Sequence, residues 1–73
     1  MHEPDLSGLK RRASVEADGL VIVRGAYRDA DVIGQIANEL RAVGYPQEPA
    51  LRELVVAELQ ARAAAVRREF WGG

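Results

Sequence analysis

The chain has 73 residues, no cysteine, one histidine and a formal net charge of −1. Without cysteine it forms neither a disulfide nor a thiolate zinc site, and its near-neutral charge gives no overall attraction to nucleic acid or to an anionic membrane. A domain of this size buries only about 60% of the surface that its unfolded chain exposes, so a partner chain is the remaining source of stability. Composition therefore favours a subunit of an assembly over an enzyme.

Residues 1–8 are predicted to form a loose arm, because this segment contains Pro4, Gly8 and other residues that favour irregular backbone. The arm precedes a single small α+β domain, residues 9–73. The start of the chain lacks the basic and apolar regions of a signal peptide, and no apolar run approaches the roughly 20 residues of a membrane span. We therefore expect a cytoplasmic protein.

The apolar run at residues 20–23 predicts a β-strand that is covered on both faces. Asp18 and Gly19 precede it, and an Asp-Gly pair is a strong signal for a tight turn. This turn would join the strand to residues 9–15 in a β-hairpin, although residues 9–15 also suit a short helix. If the strand has no partner within the chain, it would pair with the strand of another chain. Gly25 indicates a bulge, a bend or a close approach by another backbone.

Two helices are predicted after the strand. Asp29 suits an N-cap, and apolar residues at helical spacing indicate a first helix over residues 30–43. Gly44 suits the end of that helix. A second helix is predicted over residues 49–70, about 33 Å long at 1.5 Å per residue. The predicted fold is therefore α+β: a β-hairpin, or a strand shared between chains, followed by a two-helix hairpin with a long C-terminal helix.

Residues that catalysis commonly uses are scarce. The one histidine is His2, and the only serines, Ser7 and Ser14, do not lie in a Gly-x-Ser-x-Gly elbow. Asp29 and Asp31 are close in sequence, but capping of a helix and interaction with its dipole account for both. No phosphate-binding loop occurs. We therefore expect no catalytic, cofactor-binding or metal site, and no enzyme.

The long C-terminal helix carries the most suggestive pattern for binding. Small residues at four-residue spacing allow another helix to approach closely, and aromatic residues at its end suit an anchor in a partner's pocket. The alternatives are a solvated alanine face and aromatic side chains that close the chain's own core. The predicted partner-binding residues are Leu54, Ala57, Ala61, Ala65, Phe70 and Trp71.

The predicted function is a non-catalytic protein–protein interaction or assembly subunit, a small structural or adaptor protein that associates with itself or joins a larger complex. No membrane and no small-molecule substrate is indicated. Whether the partner is a second copy or a different protein stays open at this stage.

The order of strand, short helix, tight turn and longer helix over residues 20–65 resembles the ribbon-helix-helix repressors and antitoxins. In that family the strands of two chains pair and enter the DNA major groove. The resemblance implies, as an alternative function, a dimeric DNA-binding protein. The candidate nucleic-acid contacts are the basic residues Lys10, Arg11, Arg12 and Arg24.

Overall fold

The computed structural model describes the backbone of residues 6–71 and the side chains of residues 7–69. Within this range the chain forms three α-helices, α1 (Leu6–Arg24), α2 (Ala30–Val43) and α3 (Pro49–Trp71), and no strand. The prediction of an α+β fold is therefore wrong: apart from the two connections, the described part of the chain is helical.

The segment predicted to form a β-hairpin, residues 9–23, makes up most of α1 instead. Residues 6–8 of the predicted arm form its first turn, while residues 1–5 lie outside the described residues. The expected turn at Asp18 and Gly19 does not form, because both residues lie in the interior of the helix. With no hairpin in this segment, the described part of the chain also offers no strand that could be shared between chains.

Burial against α3 explains why α1 is a helix. Ala13, Ala17 and Val21 are 0%, 0% and 7% exposed and recur every four residues, which places them on one helical face. A strand would place Val15 and Gly19 on the same face as these three, because side chains alternate with a period of two. The helix instead leaves Val15 and Gly19 exposed. The alanine, leucine, lysine, arginine and glutamate residues of its first half also favour a helix intrinsically.

Gly25 ends α1 rather than making a bulge. Its φ of 63° lies in the left-handed region, which a glycine adopts without the steric penalty that a Cβ imposes. Its N–H donates to the carbonyl of Ile22, and the N–H of Ala26 donates to that of Val21. These two bonds satisfy carbonyls that the end of a helix leaves unpaired, in the pattern known as the Schellman motif.

The two later helices are confirmed. The side chain of Asp29 accepts a 3.2 Å hydrogen bond from the backbone N–H of Val32, as expected for an N-cap. Gly44 ends α2 with a φ of 73°, and its N–H donates to the carbonyl of Leu40. The predicted range of α3 differs from the observed one by a single residue at its end.

α3 is the central helix, since α1 and α2 each pack against it far more than against each other. The largest fully buried side chains belong to α2 and α3: Ile33, Ile36, Val55, Val56 and Leu59. α1 contributes mainly small residues to this core, so its backbone lies close to α3.

Ion pairs show the relative directions of α2 and α3. Arg41 near the end of α2 pairs with Glu53 near the start of α3, at 3.4 Å. Asp31 near the start of α2 pairs with Arg67 near the end of α3, at 3.5 Å. The two helices are therefore antiparallel, and their contact runs along most of the length of α2.

Candidate interaction surfaces

Most of the predicted partner-binding residues lie on a side of α3 that the other two helices leave uncovered. Ala57, Ala61 and Ala65 are exposed, whereas Leu54 is half-buried and packs against the edge of the core. These four residues are therefore brought onto one side of the helix. An alanine face with few charges is flat, and it allows a second helix to come closer than longer side chains would.

Exposed neighbours extend this surface along the helix. We define the outward α3 face by residues that are exposed apart from the half-buried Leu54: Ala50, Leu54, Ala57, Ala61, Ala64, Ala65 and Arg68. The side chains of Phe70 and Trp71 lie outside the described residues, so their role as an aromatic anchor stays a prediction.

A second apolar surface, on α1, was not predicted. Val15 and Ile22 are 66% and 56% exposed, and Val23 beside them is 83% exposed. Val15 and Ile22 are seven residues apart, about two helical turns, so they lie on the same side of α1. Gly19 lies between them, and nothing lies within 4 Å of the place where its Cβ would be. We call Val15, Gly19, Ile22 and Val23 the outward α1 face.

The sequence-based prediction misses the outward α1 face because it assigns residues 20–23 to a strand. In a strand that is covered on both faces, all four apolar side chains would be buried. In α1 successive residues differ by about 100° around the axis, so Val21 is buried while Ile22 and Val23 are exposed. The seven-residue spacing of Val15 and Ile22 is the sequence signal that would have indicated this face.

The basic residues proposed as nucleic-acid contacts do not converge. Arg24 lies twelve residues beyond Arg12, about 18 Å along the helix, and it pairs with Glu39 at 2.6 Å. Arg12 pairs with Glu48 at 3.4 Å. Lys10 and Arg11 are exposed and form no ion pair with a described residue. Two paired arginines and two adjacent cations that pair with no described residue do not form the continuous basic patch that binding to phosphates requires.

The most extensive polar cluster surrounds Arg62, which is 25% exposed. Its guanidinium donates to Asp18 at 2.6 Å, to Glu58 at 2.8 Å and to the Ser14 hydroxyl at 3.3 Å. Partial burial by itself lowers the pKa of Arg62, but hydrogen bonds and charge attraction from Glu58 and Asp18 outweigh it, so the pKa is raised. The cluster joins α1 to α3.

This cluster has the properties of a structural contact rather than of a catalytic one. The Ser14 hydroxyl accepts from a cation, whereas an activated nucleophile needs a general base within hydrogen-bond distance. Its two carboxylates each form an ion pair with Arg62 and share its single positive charge. Among residues 7–69, moreover, no group of three or more metal-binding side chains is placed to hold an ion.

No family model matches the chain, and neither a curated protein nor a solved structure matches it significantly. The ribbon-helix-helix resemblance depended on a strand before the first helix. The described residues of that segment belong to α1, so the element order that supported the resemblance is absent. None of the helices in the described range has the length and apolarity that crossing a membrane requires.

Proposed function

We propose that the chain is a non-catalytic protein–protein interaction subunit that assembles with another protein chain through its uncovered helix faces. The observation that carries the proposal is the exposure of Val15 and Ile22 on one side of α1. Single exposed apolar residues are common on protein surfaces. These two, however, are aligned two turns apart with Val23 beside them, which is the spacing that an adjacent helix requires.

The outward α3 face supports the same proposal. α3 already packs against both other helices, yet its remaining side carries alanines, Leu54 and one charged residue, Arg68, whereas charged residues usually cover a solvated helix face. A chain of this size gains stability when such surfaces are buried against a partner. The expected cytoplasmic location belongs to this proposal and rests on the sequence alone.

Substitutions on the two faces test the proposal. We expect Ala61→Arg on α3 or Ile22→Arg on α1 to lower the molar mass measured by light scattering, because each places a charge in an apolar contact. Far-ultraviolet circular dichroism should change little, since both positions are exposed. Val43→Arg is the matched control, because Val43 is 73% exposed at the end of α2 and belongs to neither face.

If both face variants keep the mass of the wild type over the whole concentration range, the proposed faces do not mediate self-association. A wild-type chain that is a monomer at every concentration would also contradict self-association. The partner would then have to be a different protein.

A further inference from the structure

We infer that α3 pairs with α3 of a second copy of this chain, in an antiparallel arrangement with a two-fold axis near Gln60. This inference rests on the proposed function and names its partner, its orientation and its register. The charges that flank the outward α3 face support this arrangement. The alanines alone would not specify it, because an alanine face can pack against many different helices.

The spacing of the outward α3 face suits a helix pair. Coiled-coil seams repeat every seven residues, with two seam positions in each repeat. Two such series run along the exposed side of α3: Ala50, Ala57 and Ala64 in one, and Leu54, Ala61 and Arg68 in the other. With alanine at most of these positions, two helix axes can approach to about 8 Å, the lower end of the usual range.

The charges beside the seam select the orientation. Glu53 and Arg67 lie seven residues before and after Gln60, so all three are on the same side of the helix. Glu53 and Arg67 are 61% and 55% exposed. An antiparallel pair centred near Gln60 places Glu53 of each copy opposite Arg67 of the other. A parallel pair in register instead brings this flank against the opposite flank of the other copy, so that Glu53 lies near Glu58, and like charges oppose that contact.

The neighbouring charges of α2 extend the complementarity. Arg41 lies against Glu53 and Asp31 lies against Arg67. In an antiparallel dimer the charges therefore alternate across the interface: Arg41 and Glu53 of one copy are followed by Arg67 and Asp31 of the other. These intramolecular pairs are exposed and long. The other carboxylate oxygen of Glu53 and the other N–H groups of Arg67 can therefore bond to the second copy.

The other flank of the seam is compatible with the same arrangement. There Glu58 comes near its own copy across the axis, which by itself would be unfavourable. Arg62 of the same chain, which is also paired with Asp18, offsets part of this repulsion through a 2.8 Å ion pair with Glu58. Since alanines bury little apolar area, we expect a dimer that dissociates on dilution rather than a permanent one.

Cysteine crosslinking tests orientation and register, and the chain has no native cysteine. With a short bismaleimide, Gln60→Cys should yield a covalent dimer. Glu53→Cys alone should not crosslink, because the two introduced cysteines would be about 21 Å apart along the helix axis. A mixture of Glu53→Cys and Arg67→Cys chains should crosslink, because these two positions lie opposite each other. Gln47→Cys, exposed in the connection before α3, is the control that reports random collision.

Charge reversal tests the same register without crosslinking. Glu53→Arg and Arg67→Glu should each weaken dimerisation about tenfold at low salt, since each reverses two pairs per dimer. Mixing the two variants should restore association, because every opposed pair is then complementary. Arg24→Glu, which also breaks an exposed ion pair but away from α3, should leave the mass unchanged.

The outcomes separate this inference from the proposed function. If Ile22→Arg dissociates the oligomer while Ala61→Arg and the two charge reversals do not, the α3 pairing is wrong and the interaction subunit stands. Self-crosslinking by Glu53→Cys would likewise overturn the antiparallel register. If no variant on either face changes the mass, both the pairing and the self-associating form of the proposed function are contradicted.

Discussion

Arg62 of α3 donates a 2.6 Å hydrogen bond to the carboxylate of Asp18 on α1. A second nitrogen of the same guanidinium donates to that carboxylate at 3.1 Å, so the contact is forked. Because α1 otherwise meets α3 mainly through small side chains, Arg62 fixes the position of α1 along α3.

Arg62→Met should therefore destabilise the chain by about 1 kcal/mol, because it removes charge-assisted hydrogen bonds that are only partly screened by water. Urea unfolding followed by circular dichroism measures this loss. Arg12→Met is the matched control: its pair with Glu48 also links α1 to the rest of the chain, at the connection before α3, but both side chains are more than half exposed. Equal losses for the two variants would show that Arg62 has no special role.

Arg52 holds the backbone of the connection between α2 and α3 in place. Its guanidinium donates to the carbonyls of Pro46, Gly44 and Gln47 at 2.9, 3.0 and 3.1 Å. A lysine ammonium cannot reproduce this fork, so we expect Arg52→Lys to cost about 1–2 kcal/mol. The same urea titration gives the value.

Arg41→Lys is the control for Arg52→Lys, because Arg41 makes one long, exposed contact to Glu53. We expect it to change stability by less than about 0.5 kcal/mol. A comparable loss at both positions would mean that the carbonyl contacts of Arg52 contribute no more than a surface ion pair does.

The sequence correctly predicts α2 and α3, because residues at the ends of these helices favour a helix start or a helix end. Asp29 caps α2, Gly44 ends it and Pro49 begins α3, and each acts through the backbone next to it. The alanine spacing likewise predicts the exposed side of α3. Local signals of this kind have the same effect in the folded chain, so they can be recognised without knowledge of the tertiary contacts.

The helix α1 could not be predicted in the same way, because its local signals oppose the structure. The β-branched residues of residues 20–23 and the Asp18-Gly19 pair favour a hairpin. The fit of Ala13, Ala17 and Val21 against α3 outweighs them, and this contact joins residues more than 30 positions apart in sequence. The exposure of Ile22 follows from that packing, which is why the outward α1 face was missed.

The ionisation of Tyr45 reports the contact between α1 and the connection before α3. Its hydroxyl donates a 3.2 Å hydrogen bond to Glu16, and the negative charge of Glu16, followed by this hydrogen bond, raises the pKa of Tyr45 above 10.0. We expect Glu16→Gln to lower the pKa of Tyr45. Absorbance titration of tyrosinate in a Tyr27→Phe background measures it, and an unchanged pKa would show that the two side chains do not interact in solution.

The sign of the linked stability follows from the direction of the shift. A pKa that is higher in the folded chain than in the unfolded one stabilises the fold while the hydroxyl is protonated. The contribution is therefore fully present below pH 10.0, the unfolded value, and is lost as the pH rises through the folded-state pKa. Glu16→Gln should remove this dependence, leaving a smaller loss of stability in alkali.

Two glycines, one inside α1 and one directly after it, discriminate between the helix and the hairpin. Gly19 lies inside the helix with open space around it, so Gly19→Ala should stabilise the chain by roughly 1 kcal/mol through helix propensity. Gly25 has a φ of 63°, so Gly25→Ala should destabilise it by about 1–2 kcal/mol, the penalty for a Cβ in the left-handed region. Opposite shifts in the midpoint of thermal unfolding are therefore expected. A hairpin would need positive φ at Gly19, so destabilisation by Gly19→Ala would contradict the helix and restore the turn that the sequence suggests.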